Sequence, residues 1–210
     1  MVGKAMSAKN EILRNIRQAK AKIDVPAAPR EYRRTLNLDP EARLELFTDR
    51  LNDYNATVYR STEAEIAQTV AQALEARGKQ SLIIPPGLSR TWLPPGFAFI
   101  PDNGLEYQAI DASEGALTAC TAAIAFTGTI ILSHGPEEGR RAISLIPDYH
   151  LCVVRATQLV DTVPEGIRAL ADYRTRPLTT ISGPSATADI EMIRVKGVHG
   201  PRFLDVIIVV

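Results

Sequence analysis

Helical and strand-like segments alternate at short intervals between residues 39 and 84, and this alternation constrains the fold more than any other feature. Asp39, which comes just before a proline, is typical of a helix start. Gly78 is typical of the end of the next helix. Strand-like apolar runs occupy residues 56–59 and Ser81–Ile84. Strand, helix and strand at this spacing predict an α/β fold with a mainly parallel sheet.

The composition is ordinary for a globular protein, with 45% hydrophobic and 23% charged residues among 210 and a formal net charge of +0. This charge balance gives no support for binding to nucleic acid or to another polyanionic surface. No apolar run approaches the roughly 20 residues of a membrane span, and the N-terminus lacks the apolar segment of a signal peptide. We therefore expect a cytoplasmic protein.

The chain is expected to comprise an N-terminal helix and arm, residues 1–38, and one α/β domain, residues 39–210. Residues 9–23 have the apolar spacing of an amphipathic helix, and residues 24–39 carry the prolines of a linker. The helix could pack on the body of the protein or on a second copy, so a homo-oligomer stays open.

The two cysteines, Cys120 and Cys152, form no CxxC pair and are too few to hold an iron–sulfur cluster. We interpret both as small buried hydrophobic residues without a disulfide. A metal site built from His134, His150 and His199 would require three distant segments without ligand spacing, so no metal site is predicted.

Two apolar runs flank Thr127, Gly128 and Thr129 within residues 119–133. A glycine there indicates a turn or a close backbone approach, and the threonine hydroxyls beside free amides would suit a carboxylate or phosphate. The alternative is a β-hairpin with the threonines in ordinary cross-strand positions, which the spacing alone favours.

A second loop, Ser182-Gly183-Pro184-Ser185, follows the strand-like run Thr179–Ile181. A helical pattern over residues 187–194 comes next, and a final strand-like run covers residues 204–210. Strand, loop and helix start is the geometry in which backbone N–H groups point at an anion. The acids early in the helical pattern would instead cap the helix themselves, and the local sequence does not decide between a site and a capped helix.

Both loops follow apparent strands, and ligands of open α/β sheets bind beyond the carboxyl ends of the strands. The candidate residues for binding a small anion are therefore Thr127, Gly128, Thr129, Ser182, Gly183, Ser185 and Thr187. Asp189 is a candidate general base, with capping of its own helix as the equal alternative. His199 is a candidate catalytic residue because it lies between loop glycines and titrates near neutral pH, although a loop histidine is more often structural.

Four motifs in this order resemble the LutC/YkgG family of LUD-domain proteins: TGTI at 127–130, SLIPDYH at 144–150, ISGPSATADIE at 181–191 and GVHGP at 197–201. The resemblance implies a three-layer α/β/α sandwich of the NagB/RpiA/CoA-transferase-like type. It also implies a role in the bacterial oxidation of L-lactate to pyruvate. The implied partners are LutA-type and LutB-type proteins, which would carry all the iron–sulfur clusters, leaving this chain without a cofactor.

One position departs from the family pattern. Many members carry an acid immediately before the TGT or SGT triplet, where this chain has Phe126. A glutamate is the covalent nucleophile of the related CoA-transferases, and a phenyl ring cannot replace it. We therefore expect an accessory or ligand-binding subunit of a lactate-oxidising complex, without deciding whether the chain is catalytic. The alternative is a stand-alone enzyme or binder for a phosphorylated or CoA-type metabolite.

Overall fold

The structure is a computed structural model that describes residues 8–20, 31–188, 194–196 and 200–210. The strands are β1 Thr57–Ser61, β2 Ser81–Ile84, β3 Ala98–Pro101, β4 Ala116–Thr118, β5 Ala122–Ile124, β6 Thr129–Leu132, β7 Tyr149–Arg155, β8 Leu159–Val160, β9 Thr179–Ile181, β10 Ala186–Ala188, β11 Arg194–Lys196 and β12 Phe203–Val209. The α-helices are α1 Ala8–Lys20, α2 Pro40–Asp53, α3 Ile66–Arg77, α4 Tyr107–Asp111, α5 Arg141–Leu145 and α6 Val163–Ala169. Short 3-10 turns cover Glu63–Glu65, Arg90–Trp92, Ala156–Gln158 and Ala171–Tyr173.

A six-stranded sheet in the order β1-β12-β7-β4-β2-β3 forms the centre of the fold, and each of its strand pairs is parallel. Its longest strands are near-continuous apolar runs, as expected for a parallel sheet that is covered on both faces. The predicted α/β class with a mainly parallel sheet is therefore confirmed.

Alternate residues of β12 show how the layers are built. Leu204, Val206 and Ile208 pack in one cluster with Leu44, Phe47 and Leu51 of α2. Ile207 and Val209, which point the opposite way, pack in a second cluster with Ile66, Val70 and Leu74 of α3. Because successive side chains of a strand face opposite sides, α2 and α3 cover opposite faces of the sheet and complete a layered α/β arrangement.

The ends of these two helices follow the expected chemistry. The side chain of Asp39 accepts a hydrogen bond from the backbone N–H of Ala42 at 3.0 Å, as an N-cap residue does. Gly78 ends α3 at φ +62°, a left-handed conformation that glycine adopts without a steric cost.

A second sheet of four strands, in the order β8-β5-β6-β9, packs into the same cluster as α2. Strands β5 and β6 form an antiparallel hairpin, and β6 also pairs antiparallel with β9. The hairpin interpretation of the TGT segment is thus confirmed. The expectation that both candidate loops lie at carboxyl ends of the parallel sheet is wrong, because their strands belong to this second sheet.

The predicted helix over residues 187–194 is also wrong in its described parts. Ala186–Ala188 and Arg194–Lys196 are the antiparallel strands β10 and β11, and the residues between them lie outside the described part of the chain. The residue pattern predicts a helix, but antiparallel pairing of Ala186–Ala188 with Arg194–Lys196 determines the structure of the described residues. The argument from a helix N-terminus therefore fails at this loop.

Buried carboxylates join distant elements within residues 34–210. Asp205 of β12 is 0% exposed and pairs with Arg77 of α3, with an Nε–Oδ2 distance of 3.0 Å. Asp161 pairs with Arg43 of α2 at 2.5 Å and accepts from the backbone N–H of Leu38 at 3.0 Å. The hydrogen bond from Leu38 to Asp161 fixes the segment just before α2. The division of the chain into an arm that ends at residue 38 and a domain that follows stays a prediction.

Residues 1–33 and 34–210 cluster as two separate units, and the first contains α1. This helix confirms the amphipathic prediction for residues 9–20, while residues 21–23 lie outside the described part. Its Ile12, Leu13 and Ile16 are exposed. Over the described residues, no helix is both long and apolar enough to cross a bilayer.

Candidate functional site: a cavity beside His150

The TGT and SGPS turns meet in the structure. Ile130 of β6 pairs with Ile181 of β9. This pairing brings the start of β6, where the TGT turn lies, next to the end of β9, where the SGPS turn begins. The hydroxyl oxygens of Thr127 and Thr129 are 2.7 Å apart, and those of Thr129 and Ser182 are 2.8 Å apart. Two segments that are distant in sequence therefore form one chain of hydroxyl groups.

The glycines of both turns pack against the C-terminal part of α2. A Cβ atom at Gly128 would lie 2.7 Å from Cβ of Arg50, and one at Gly183 would collide with Cβ of Tyr54. Gly183 also has φ +86°. Close backbone packing thus explains both glycines, and binding of an anion by their amides stays a prediction.

A cavity of about 250 Å³ lies beside this chain of hydroxyl groups. Its polar lining includes His150, Ser144, Thr179, Thr180, Ser182 and Ser185, and its apolar lining includes Leu145, Ile181 and Leu204. Three of the predicted binding residues, Ser182, Gly183 and Ser185, line it. Thr129 is one hydrogen bond away, through Ser182.

His150 is a titratable side chain of this cavity, and it is almost fully buried. It is 1% exposed, on β7, and points to the same side as Cys152. Its Nε2 lies 2.8 Å from Oγ1 of Thr118, whereas its Nδ1 has no hydrogen-bond partner among the described residues. Burial lowers the pKa of His150 to about 4, so the ring is neutral at physiological pH.

The sequence indicated His150 only as a possible metal ligand and not as a residue of this cavity. The available signal was its location directly before the apolar run of β7, within a strand that is buried from Tyr149 to Val154. A histidine inside such a run is held away from water, and an unpaired buried nitrogen is uncommon enough to require an explanation.

The remaining predicted residues have varied outcomes. Thr187 is part of β10, and Asp189 and His199 lie outside the described residues. Phe126 is 53% exposed and places no ionisable group beside the turn. His134 has a structural position, because its Nδ1 bonds the carbonyl of Gly139 at 3.0 Å and its Nε2 the hydroxyl of Thr179 at 2.8 Å.

A second cavity, of about 560 Å³, is lined by Arg140, Arg141 and Arg176 together with His134. Arg140 forms an ion pair with Asp102 at 2.6 Å. Arg176 stacks over the ring of Tyr173, and among the described residues neither it nor Arg141 has a carboxylate partner. The described lining of this cavity is therefore positively charged.

Comparison with known proteins agrees with the motifs. A family model described as the LUD domain matches residues 102–209. Lactate utilization protein C of Deinococcus radiodurans is 44% identical over 205 residues, covering 96% of this chain and 95% of that protein. The uncharacterized protein YkgG of Escherichia coli is 27% identical over 221 residues, covering 93% of this chain and 95% of that protein.

The fold is also similar to a solved structure. The crystal structure of a DUF162 family protein from Deinococcus radiodurans matches with a TM-score of 0.71 and 40% identity, covering 82% of this chain and 99% of that chain. The matched part of the LUD model contains β4 to β12, and hence His150 and both hydroxyl-bearing turns. The chain belongs to the LUD-domain family, as its motifs predicted.

Proposed function

We propose that this chain is a component of an L-lactate utilisation system and serves there as an accessory or ligand-binding subunit. The observation that carries the proposal is the 44% identity, over nearly the whole of both chains, to a protein named Lactate utilization protein C. The small cavity beside His150 supports a ligand-binding role.

The proposed partners are iron–sulfur proteins of the LutA and LutB types. Oxidation of L-lactate to pyruvate releases two electrons and two protons, and the electrons require an acceptor. This chain has only Cys120 and Cys152, and both are buried as free thiols. The clusters that accept the electrons would therefore belong to the partners.

Deletion of the gene followed by growth on L-lactate as the sole carbon source tests the role. We expect loss of growth on L-lactate, unchanged growth on glucose, and recovery when the wild-type gene is supplied in trans. Normal growth of the deletion strain on L-lactate would contradict the proposal.

Co-purification tests the partnership. A tagged chain, expressed from its own locus in cells grown on L-lactate, should retain LutA-type and LutB-type proteins through a mild purification. The matched control is the same tag on an unrelated protein of similar size. Absence of both partner types from the purified material would refute the subunit role while leaving ligand binding to be measured separately.

The alternative, a binder for a phosphorylated or CoA-type metabolite, is favoured by one observation. The arginine-lined cavity has the charge that phosphate oxygens require, and arginine presents several donors to them. Phosphorylated metabolites should then raise the melting temperature, and Arg176→Gln should abolish this shift while Arg174→Gln should not. A shift with L-lactate but with no phosphorylated compound would reject this alternative.

A further inference from the structure

The formal net charge of +0 is the sum of two opposite parts of the chain. Residues 1–33, the first unit, contain eight lysine and arginine residues and three acidic ones, so they carry a formal charge of +5. The remaining sixteen basic and twenty-one acidic residues give the second unit, residues 34–210, a charge of −5. The balance over the whole chain therefore does not exclude an anionic partner for the first unit.

Helix α1 of the first unit has an exposed apolar face. Ile16 follows Ile12 by four residues and Leu13 by three, so the three side chains lie on one side of the helix. Their exposed fractions are 59% for Ile12, 39% for Leu13 and 47% for Ile16. Large apolar side chains are normally buried, and three of them grouped on a short helix indicate a contact surface.

Positive charge accompanies this apolar face. Lys9, Arg14 and Arg17 are exposed, and Glu11 is the one acidic residue in the sequence of α1. None of the three cations takes part in a salt bridge of the described residues. A helix that combines an apolar face with basic residues is typical of segments that lie on a membrane surface. At 13 residues, α1 is shorter than the roughly 20 that a membrane span requires.

Two other kinds of partner match only part of α1. Nucleic acid would attract the basic residues, but it offers no apolar layer for Ile12 and Ile16. Pairing of two α1 helices would bring like charges together, and 13 residues are fewer than the roughly three to four heptads of a coiled coil. An anionic bilayer offers one helix both headgroup charge and an apolar layer.

The acidic second unit of another copy is a weaker match for the charge of α1. Its exposed carboxylates at Glu41, Asp53, Glu63 and Asp148 already pair with arginines. These ion pairs neutralise part of the negative surface that a basic helix would require.

We propose that α1 binds to the surface of an anionic lipid bilayer. Ile12, Leu13 and Ile16 enter the boundary between headgroups and acyl chains, and Arg14 and Arg17 contact the headgroups. Because α1 contains no aromatic residue to anchor it at this boundary, binding requires the positive charges as well as the apolar face. The proposal concerns the first unit alone and does not rest on the proposed role in lactate utilisation.

Co-sedimentation of the full chain with vesicles tests the choice of lipid. The protein should bind vesicles of phosphatidylcholine and phosphatidylglycerol mixed at roughly two to one, and should not bind vesicles of phosphatidylcholine alone. An increase from about 0.05 M to about 0.5 M salt should weaken the binding by about tenfold or more, because salt screens the charges. Equal binding to the two kinds of vesicle, or no binding to the anionic ones, would overturn the proposal.

A charge-reversal variant tests the basic residues. Arg14→Glu together with Arg17→Glu should weaken binding to anionic vesicles by about tenfold or more. The matched control is Arg90→Glu together with Arg174→Glu, which changes the net charge equally at exposed residues of the second unit. The control should bind as the wild type does. Equal losses in the two variants would assign binding to net charge and reject α1 as the contact.

A second pair of variants tests the apolar face. Ile12→Ser together with Ile16→Ser should also weaken binding to anionic vesicles by about tenfold or more, because it removes apolar contact and keeps the charge. The matched control, Asn15→Ser together with Gln18→Ser, introduces the same residue at exposed polar positions of α1 and should retain binding. Full binding by the isoleucine variant would contradict the proposal.

Measurements without lipid identify the other occupants. A wild-type dimer that Arg14→Glu with Arg17→Glu converts to a monomer, without vesicle binding, would show that a second copy covers α1. Binding to duplex DNA without vesicle binding would assign the basic residues to nucleic acid. Either result overturns the proposal. Thermal unfolding checks that each variant is folded, and the two kinds of vesicle decide the question with the wild type alone if a variant is not.

Discussion

Burial of His150 couples the stability of the protein to pH. The ring is 1% exposed, and burial lowers its pKa from 6.5 to about 4. In the unfolded chain the imidazole takes up a proton below about pH 6.5, but in the folded protein only below about pH 4. The unfolded state therefore binds more protons within this interval, so the free energy of unfolding falls as the pH is lowered from about 6.5 to about 4.

We expect this group alone to lower the free energy of unfolding by about 2 kcal/mol between pH 7 and pH 5, at about 1.4 kcal/mol per pKa unit. His150→Gln should lack this loss, because glutamine does not titrate. Urea unfolding of the wild type and the variant at both pH values measures it. The same pH dependence in both proteins would show that His150 is not held neutral by burial.

A glycine can be required by a positive φ or by close packing, and Gly104 and Gly183 allow the two reasons to be compared. Both have positive φ, at +86° and +93°, but only a Cβ at Gly183 would meet a neighbouring atom, in Tyr54. Gly104→Ala should cost about 1–3 kcal/mol from backbone strain alone. Gly183→Ala should cost a further amount of about 1–3 kcal/mol from the collision with Tyr54, the residue after α2. Denaturant unfolding compares them, and equal losses would exclude close packing as the reason for Gly183.

Among the elements, α3 is joined to the sheet by a buried carboxylate. Asp205 of β12 accepts from Arg77 of α3 and, at 3.1 Å, from the hydroxyl of Tyr149 on β7. Burial raises the pKa of Tyr149, so its hydroxyl keeps the proton that it donates. The carboxylate of Asp205 thus joins α3 to the two neighbouring strands β12 and β7.

Removing the charge of Asp205 should therefore be costly. Asp205→Asn leaves Arg77 without its buried counter-charge and should lower the free energy of unfolding by about 3–5 kcal/mol. The control is Asp148→Asn, whose partner Arg202 is 51% exposed at its side chain, and which should change stability little. Chemical unfolding measures both variants, and similar losses would mean that the Asp205 pair acts as an ordinary surface pair.

The strands of the fold could be predicted where local sequence and burial agree. Ser81–Ile84 and Thr179–Ile181 have the predicted bounds because each is a short apolar or β-branched run followed by turn residues. Prediction of a helix over residues 187–194 failed at its described ends, where residues 187, 188 and 194 belong to the paired strands β10 and β11. Strand pairing depends on contacts between two separate segments, and the periodicity of a single segment does not contain that information.

The loop residues of the candidate site could be predicted from the sequence, but the role of His150 could not. Ser182 and Gly183 were identified from their loop, and they line the cavity. His150 was missed because its environment is made by three separate segments: Thr118 on β4, Cys152 on β7 and the loop after β9. Only the crossover connections of the parallel sheet and the second sheet bring these segments together, and a linear pattern does not show that assembly.

At the scale of the molecule, the buried carboxylates Asp102 and Asp161 add a second step of acid sensitivity below that of His150. Burial opposes ionisation of Asp102 and Asp161, but hydrogen bonds from Arg140 and from Arg43 outweigh it, so the pKa of each carboxyl lies below its ordinary 3.8. A carboxylate with a lowered folded pKa contributes stability that is present above its ordinary pKa of 3.8. That contribution is lost as the pH falls through the folded pKa.

The unfolding free energy should therefore fall in two separable intervals, first between about pH 6.5 and 4 through His150 and then below about pH 4 through the two carboxylates. The double variant Asp102→Asn, Asp161→Asn should be less stable at pH 7 and should change less below pH 4, while keeping the first step. His150→Gln should keep the second step and lose the first. Urea unfolding from pH 7 to pH 2.5 measures both intervals. If the free energy of unfolding of the double variant fell below pH 4 as steeply as that of the wild type, other carboxylates would be responsible for that fall.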